Sequence, residues 1–192
     1  MPKKQQFTKE DVMNTAFEIV KNQGFEGLNA RKIAKELNSS VHPIFNHYNN
    51  MEELNKAIYE KMKNIYHEYM LKGIDKENSY KGTGLSYIKF AKDYPEFFKL
   101  MFMGKTNLNA ENFMMSDEIS DEIIKAGQKL TGFSYEEQKR FHVKVWIFTH
   151  GIASLIATKT VDFTENEIDN ILQTTVRQMV LGKKFEEKKL EK

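Results

Sequence analysis

The chain has 192 residues, a formal net charge of +2, 29% charged residues and no cysteine. That length supports one or two domains with a real core, and without cysteine there is no disulfide framework, thiolate metal site or thiol nucleophile. The mild basicity permits a polyanionic partner without requiring one. The opening "MPKKQQ" lacks a signal-peptide pattern and no run of about 18 apolar residues occurs, so the cytoplasm is the expected compartment and no membrane partner is expected.

Only three prolines and ten glycines punctuate the chain. Helix-favouring Ala, Leu, Glu and Lys fill much of the rest, and no period-2 alternation bounded by turn residues occurs. The expected fold class is therefore all-α, with about nine helices. Thr8 caps the first, Glu10 and Asp11 suit its positive end, Val12, Ala16, Phe17 and Val20 recur at helical spacing, and Gly24 ends it. Asn29 caps a second, short helix with Ile33, Ala34 and Leu37 inside, and Asn38 follows where a left-handed turn is expected. Ser40 caps a third helix of about two turns. Asn50 opens a fourth, with Glu53 in a partial capping-box position. Beyond Gly73, helices are expected over 82–93, from Pro95 through "PEFFKLMF", over 116–130 under a Ser116 cap, over 135–160 and over 164–181. Residues 103–115 are ambiguous, with "GKTNLNAEN" resembling a loop, and the charged 183–192 read as a frayed tail.

The stretch "NSSVHPIFNHYNNMEEL", Asn38 to Leu54, carries the chemistry. Two short helices joined by a tight turn describe a helix-turn-helix, whose second helix enters the major groove of DNA. Ile44 and Tyr48, four apart, form its inner face. Val41, His42, Pro43, Phe45, Asn46 and His47 form the outer one. Asn bonds an adenine edge in two places, His donates to phosphate or to a guanine acceptor, and Val41, Pro43 and Phe45 meet thymine methyls. Arg31, on the helix before, reaches a guanine or a phosphate. A plain polar connector between two longer helices is the competing account. Local charge does not separate them, since residues 1–60 hold eight Lys/Arg and eight Asp/Glu. Attraction to phosphate must then come from arrangement, helix N-termini and the Lys3/Lys4 arm.

At these residues the sequence resembles the TetR family of transcriptional regulators. The resemblance runs from Phe7 to Glu60, "FTKEDVMNTAFEIVKNQGFEGLNARKIAKELNSSVHPIFNHYNNMEELNKAIYE". It follows the order helix, G-[FY] turn, capped "R-x-I-A" helix, short recognition helix, then "x-x-E-E-L". The resemblance implies a homodimer binding double-stranded DNA at an inverted repeat. It further implies a three-helix DNA-binding domain over residues 1–50 and a helical ligand-binding and dimerisation domain over 51–192. By position it places DNA contacts on Arg31, Val41, His42, Pro43, Phe45, Asn46 and His47, with the backbone around Asn29 at a phosphate. Phe45 stands where many members have tyrosine, and Met51 where many have lysine, so two phosphate contacts of the family are missing here. "YIKFAKDYPEFFKLMF" with "WIFTHGIASLI" is similar to the W-x-x-x-H-G class of TetR carboxy-terminal domain, on Trp146, His150 and Gly151.

His142, Trp146 and His150 lie at i, i+4 and i+8, on one helical face. They read as the wall of a ligand pocket, or, for a lone His, as a hydrogen-bonded core residue. The two histidines span about 12 Å along a helix, too far to share one metal. Phe97, Phe98, Met101, Phe102 and Met103 form a soft apolar cluster suited equally to core and to ligand. The candidate ligand residues are Phe98, Met101, Phe102, Trp146 and His150, for a neutral or cationic apolar effector. Asp117, Glu118, Asp121 and Glu122 read as a solvated helix face, so no metal, cofactor or catalytic set is assigned and the chain is not expected to be an enzyme. The leading function is a transcriptional regulator, a repressor released from a palindromic operator by a small apolar ligand. Two alternatives stand: a helical enzyme or ligand carrier using the His142/Trp146/His150 face, and a DNA-binding protein without an effector. Dimerisation is expected through Val145, Phe148, Ile152 and Leu155 of one long helix and Ile168, Ile171, Leu172, Thr175 and Met179 of the last.

Overall fold

The computed structural model describes residues 7–74, 79–108, 110–116 and 118–190. Among them the chain is all-α without a strand, as its composition requires, and no helix is long and apolar enough to cross a membrane. Ten helices follow in order: α1 Lys9–Gln23, α2 Ala30–Glu36, α3 His42–His47, α4 Met51–Ile74, α5 Ser79–Asp93, α6 Pro95–Phe102, α7 Ala110–Met115, α8 Ser120–Thr131, α9 Tyr135–Ala157 and α10 Glu165–Leu190.

Most helix starts follow from their caps. Thr8 and Asp11 form a reciprocal capping box on α1, as do Ser134 and Glu137 on α9. The Asn29 side chain accepts the Lys32 N–H, and Asn38 takes the left-handed turn at φ 49°. At α4 the Glu53 N–H donates to Asn50 Oδ1 at 2.8 Å, while the return bond to Glu53 Oε2 comes from the Asn49 N–H at 2.9 Å. The box is shifted by one residue from the expected position.

Several boundaries differ from the sequence reading, α5 starting at Ser79 and α9 ending at Ala157 among them. Ser40 is not the cap of α3: Val41 occupies that position without a side-chain bond, and Ser40 Oγ accepts the His42 N–H at a long 3.4 Å. The ambiguous stretch 103–115 contains α7 at its end, where the Phe113 ring packs 5.8 Å from that of Trp146. Helix α8 starts at Ser120 rather than Ser116, because Ser116 Oγ donates to the Phe113 carbonyl at 2.7 Å and closes α7 instead. Asp117 lies outside the described residues. Helix α10 runs to Leu190 rather than fraying from Lys183, whose ammonium sits 3.1 Å from Glu137 Oε1 and 3.5 Å over the Phe133 ring.

The chain packs as two units. The first holds the described residues up to Tyr66 together with Tyr94–Met103. The second holds His67–Asp93 and the described residues from Gly104 onward, whereas the sequence reading divides the chain near residue 50. In the first unit Val12, Ala16, Val20, Ile33, Ile44, Leu54 and Ile58 are buried, and Phe17 meets Phe97 of α6 edge-on at 4.9 Å.

In the second unit α5 packs on α9, and α8 on both. Two hydrogen bonds join α5 to α9: Tyr80 Oη to His142 Nδ1 at 2.8 Å and Tyr87 Oη to His150 Nδ1 at 2.9 Å. Gly73 permits α4 to pass close to α5, since a Cβ there would lie 2.7 Å from the Gly82 carbonyl oxygen. Burial pushes His142 down to about 4 and pushes the Tyr80 hydroxyl up, so the pair is neutral. An unfolded imidazole titrates near 6.5, so below that pH the unfolded chain holds the extra proton. The stabilisation is complete above pH 6.5 and is lost as pH falls towards 4, on the order of 3 kcal/mol. Urea unfolding at pH 7.5 and 4.5 should show that loss in the wild type and much less of it in His142→Gln. An equal loss in both would assign the effect to other groups.

Candidate nucleic-acid interface and cavity

Helix α3 has six residues, too few to be stable alone. It is held by its inner side: Ile44 is fully buried, and Tyr48, the residue that ends it, nearly so. Lys9 sits 4.9 Å over the Tyr48 ring and covers it from α1. On the preceding helix, Ile33 and Ala34 are buried and Leu37 half-buried, and the left-handed Asn38 turns the chain so that α3 can dock beside them.

The opposite side of α3 is open. Val41, His42, Phe45 and Asn46 are exposed, with Phe45 at 44%, and Pro43 is half-buried in the first turn. Phe45 is thus a large apolar side chain left on the open side beside Val41. Arg31 and Asn29 are exposed at the start of α2, although the Asn29 side chain is committed to its cap. His47 differs from its neighbours. It is half-buried and its Nε2–H donates to the Phe7 carbonyl at 2.9 Å, so it ties the end of α3 to the residue before the α1 cap. Lys3 and Lys4 lie outside the described residues.

The residues singled out for a ligand fall into the two units. Phe98, Met101 and Phe102 lie on α6 in the first: Phe98 is fully buried, its ring 5.4 Å from Phe102, which meets Tyr66 at 5.1 Å. Trp146 and His150 lie on α9 in the second, half-buried and stacked at 5.0 Å. Burial lowers the pKa of His150. His142 does not share an open face with them, because it is buried against Tyr80.

Within the second unit α5, α8, α9 and α10 enclose a cavity of about 320 Å³, lined by none of those five residues. That size lies at the lower end for small-molecule sites, about 300–1,000 Å³. Leu130, Val145, Leu172, Val176, Val180 and Leu181 make its walls apolar, and Lys81 and Arg177 are its cations. No periodicity marks it in the sequence, because four helices each contribute a few positions. The available signals are a glycine, Gly84, inside a helical run and an arginine, Arg177, in an apolar one.

No family model and no curated protein matches the sequence. Solved structures match its fold. A TetR-like transcriptional regulator from Rhodococcus sp. RHA1 gives a TM-score of 0.62 at 12% identity, over 91% of this chain and 96% of that one. A TetR variant from Acinetobacter baumannii AYE, in complex with minocycline, gives 0.52 at 16%, over 92% and 96%. The regulator FadR from Bacillus subtilis, in complex with stearoyl-CoA, gives 0.54 at 13%, over 90% and 98%. The chain therefore has the TetR-like fold.

The docking of α3 is open to direct measurement. Ile44→Ala should cost about 2–5 kcal/mol in urea unfolding, as for a fully buried aliphatic side chain. Phe45→Ala, one residue on, should stay within about 0.5 kcal/mol of the wild type. Equal costs would mean that Phe45 is also packed.

Proposed function

Given a TetR-like fold, we propose that this chain is a DNA-binding transcriptional regulator. It acts in the cytoplasm as a homodimer on an inverted repeat, and its second unit responds to a small-molecule effector. One observation carries the proposal: α3 buries only Ile44 and Tyr48 and leaves Val41, His42, Phe45 and Asn46 together on its open side. Those side chains match what a major groove offers, an adenine edge for Asn46 and thymine methyls for Val41 and Phe45. Pro43 adds an apolar contact at the first turn. His42 donates to a phosphate or a guanine acceptor, Arg31 does the same from α2, and the backbone at Asn29 meets a phosphate. His47, whose Nε2 is engaged with Phe7, positions α3 and has Nδ1 left for an outside contact.

A dimer face is supported on α9. Ile147 and Leu155 are exposed at 52% and 37%, and Gly151 between them has nothing within 4 Å of a Cβ position. A bare glycine flanked by exposed aliphatics one turn away on each side suits a second helix at close range. Val145, Ile152, Ile168 and Leu172, expected on that face, are buried within their own unit. The proposed face is therefore narrower than the spacing of the sequence indicates.

The effector acts by population shift. A ligand that binds one conformation of the second unit better than another moves the regulator off its operator by that difference in affinity, a few kcal/mol sufficing. The complexes with minocycline and stearoyl-CoA show that two proteins of this fold hold small molecules, which supports a ligand here. Repression relieved by the ligand is the proposed sign.

Fluorescence anisotropy on a palindromic fragment tests the assignments. Asn46→Ala should cost about 1–3 kcal/mol and relax preference at one base pair per half-site. His47→Ala should weaken all sequences alike; matching, sequence-independent losses for the two variants would remove Asn46 from base readout. Sedimentation velocity tests the dimer. Ile147→Glu with Leu155→Glu should give folded monomers that lose the palindrome, and a wild type that is monomeric at micromolar concentration would sink the dimer.

A further inference from the structure

We propose that the α5/α8/α9/α10 cavity binds an anionic amphiphile, an unbranched hydrocarbon chain ending in a carboxylate, with Arg177 as the residue that pairs its head group. This rests on the proposed role of the second unit as a ligand-binding body and gives that ligand a chemical class.

The interior of the cavity asks for hydrocarbon. Its buried polar side chains are already committed inside the protein: Tyr80 Oη is bonded to His142 at 2.8 Å, Thr149 Oγ1 donates to the Val145 carbonyl at 2.8 Å, and Thr131 Oγ1 donates to Gln138 Oε1 at 2.7 Å. No donor on the buried part of the wall is left to reward a polar group, so a polar group entering past the exposed Gln173 would lose its water without replacement. Val145, Leu172, Val176 and Val180 line it with hydrocarbon, as do Leu130 and Leu181.

The rim asks for an anion. Lys81 has its counterion, Asp169 Oδ1, at 2.5 Å. Arg177 lies two turns further along α10, lines the same cavity, is exposed, and has no carboxylate partner among the described residues. A guanidinium beside apolar walls favours the planar, two-oxygen geometry of a carboxylate and repels a cation. The neutral or cationic ligand expected from the aromatic cluster does not suit this cavity.

Gly84 supplies an independent observation. It sits in the interior of α5, where glycine costs stability relative to alanine, and its φ is not one that demands glycine. Nor is it required for close packing. A Cβ there would meet Leu172 Cδ1 at 3.8 Å and Thr149 Cγ2 at 4.0 Å, both ordinary contacts. What a larger side chain at Gly84 would do is fill the cavity that Leu172 and Thr149 line.

Titration calorimetry on the full chain without DNA tests the site, with decanoate, decanol and decyltrimethylammonium as probes below their micellar concentrations. Decanoate should bind once per chain and at least about tenfold tighter than either other probe, the gain expected of one charge-assisted pair. Arg177→Gln, an exposed change, should bring decanoate to within about threefold of decanol and leave decanol unchanged, while Arg177→Lys should keep part of the preference. Gly84→Leu should abolish binding while unfolding no earlier than the wild type in a thermal melt. Equal affinity for decanoate and decanol, indifference of decanoate to Arg177→Gln, or no binding of any probe would overturn the proposal. DNA binding is then followed separately. Decanoate that binds through Arg177 without changing affinity for the palindrome upholds the site and removes only the effector role.

Discussion

Helix α3 stands or falls with two side chains. Six residues give it at most a few internal hydrogen bonds, and a helix of that length has no stability of its own in water. Its existence, its angle and the residues it displays are all consequences of burying Ile44 and Tyr48 against the first unit. That burial explains the composition of the segment. The inner positions must be large and apolar. The outer ones are released from packing, so Val41, His42, Phe45 and Asn46 can be chosen for another surface. The tie from His47 to the Phe7 carbonyl makes the C-terminal end of α3 depend on the residue just before α1.

The second unit uses a different device. Helices α5 and α9 are joined by two Tyr–His bonds, the residues lying seven apart on α5 and eight apart on α9, two turns on each. Such pairs add little net energy, but breaking one leaves a buried polar group unsatisfied, so they fix register more than they add stability. By engaging Tyr80 and His142 with each other, the first pair also removes polar demand from the wall of the cavity beside it. Apolar character there comes from satisfied polar side chains as much as from aliphatic ones.

Local signals in the sequence were legible and long-range ones were not. The cap at Thr8, the left-handed Asn38 and the inner face of α3 are each encoded within a few residues, and the structure has them where the sequence puts them. Helix α7 is not encoded locally: "GKTNLNAEN" is loop-like, yet its last three residues open the helix, which Phe113 holds against Trp146, a residue 33 positions away. The last turns of α10 look like a solvated tail, yet Lys183 is anchored by Glu137 and Phe133, far away in sequence. The aromatic residues that attracted attention as a ligand box, Phe98 and Trp146 among them, belong to two different units. The cavity that does exist is built from inconspicuous positions on four helices, and its most informative member is a glycine with no side chain to notice.

Charge sets the kind of DNA affinity the proposed function allows. The first 60 residues carry equal numbers of acids and bases. Affinity built on counterion release needs many Lys and Arg at phosphates and falls steeply with salt. Here Arg31 and Lys35 are exposed on α2, while Lys9 and Lys61 are engaged over the rings of Tyr48 and Phe17. Among the described residues few cations remain for the backbone of a duplex, and Phe45 offers no hydroxyl to it. A module so balanced holds non-specific DNA weakly. Its discrimination must then rest on base edges and thymine methyls met by α3, and on two such helices being presented at once. Under the proposed function, dimerisation is for that reason more than a means of avidity: with so little attraction to phosphate, a single copy of α3 would have too few contacts to stay bound.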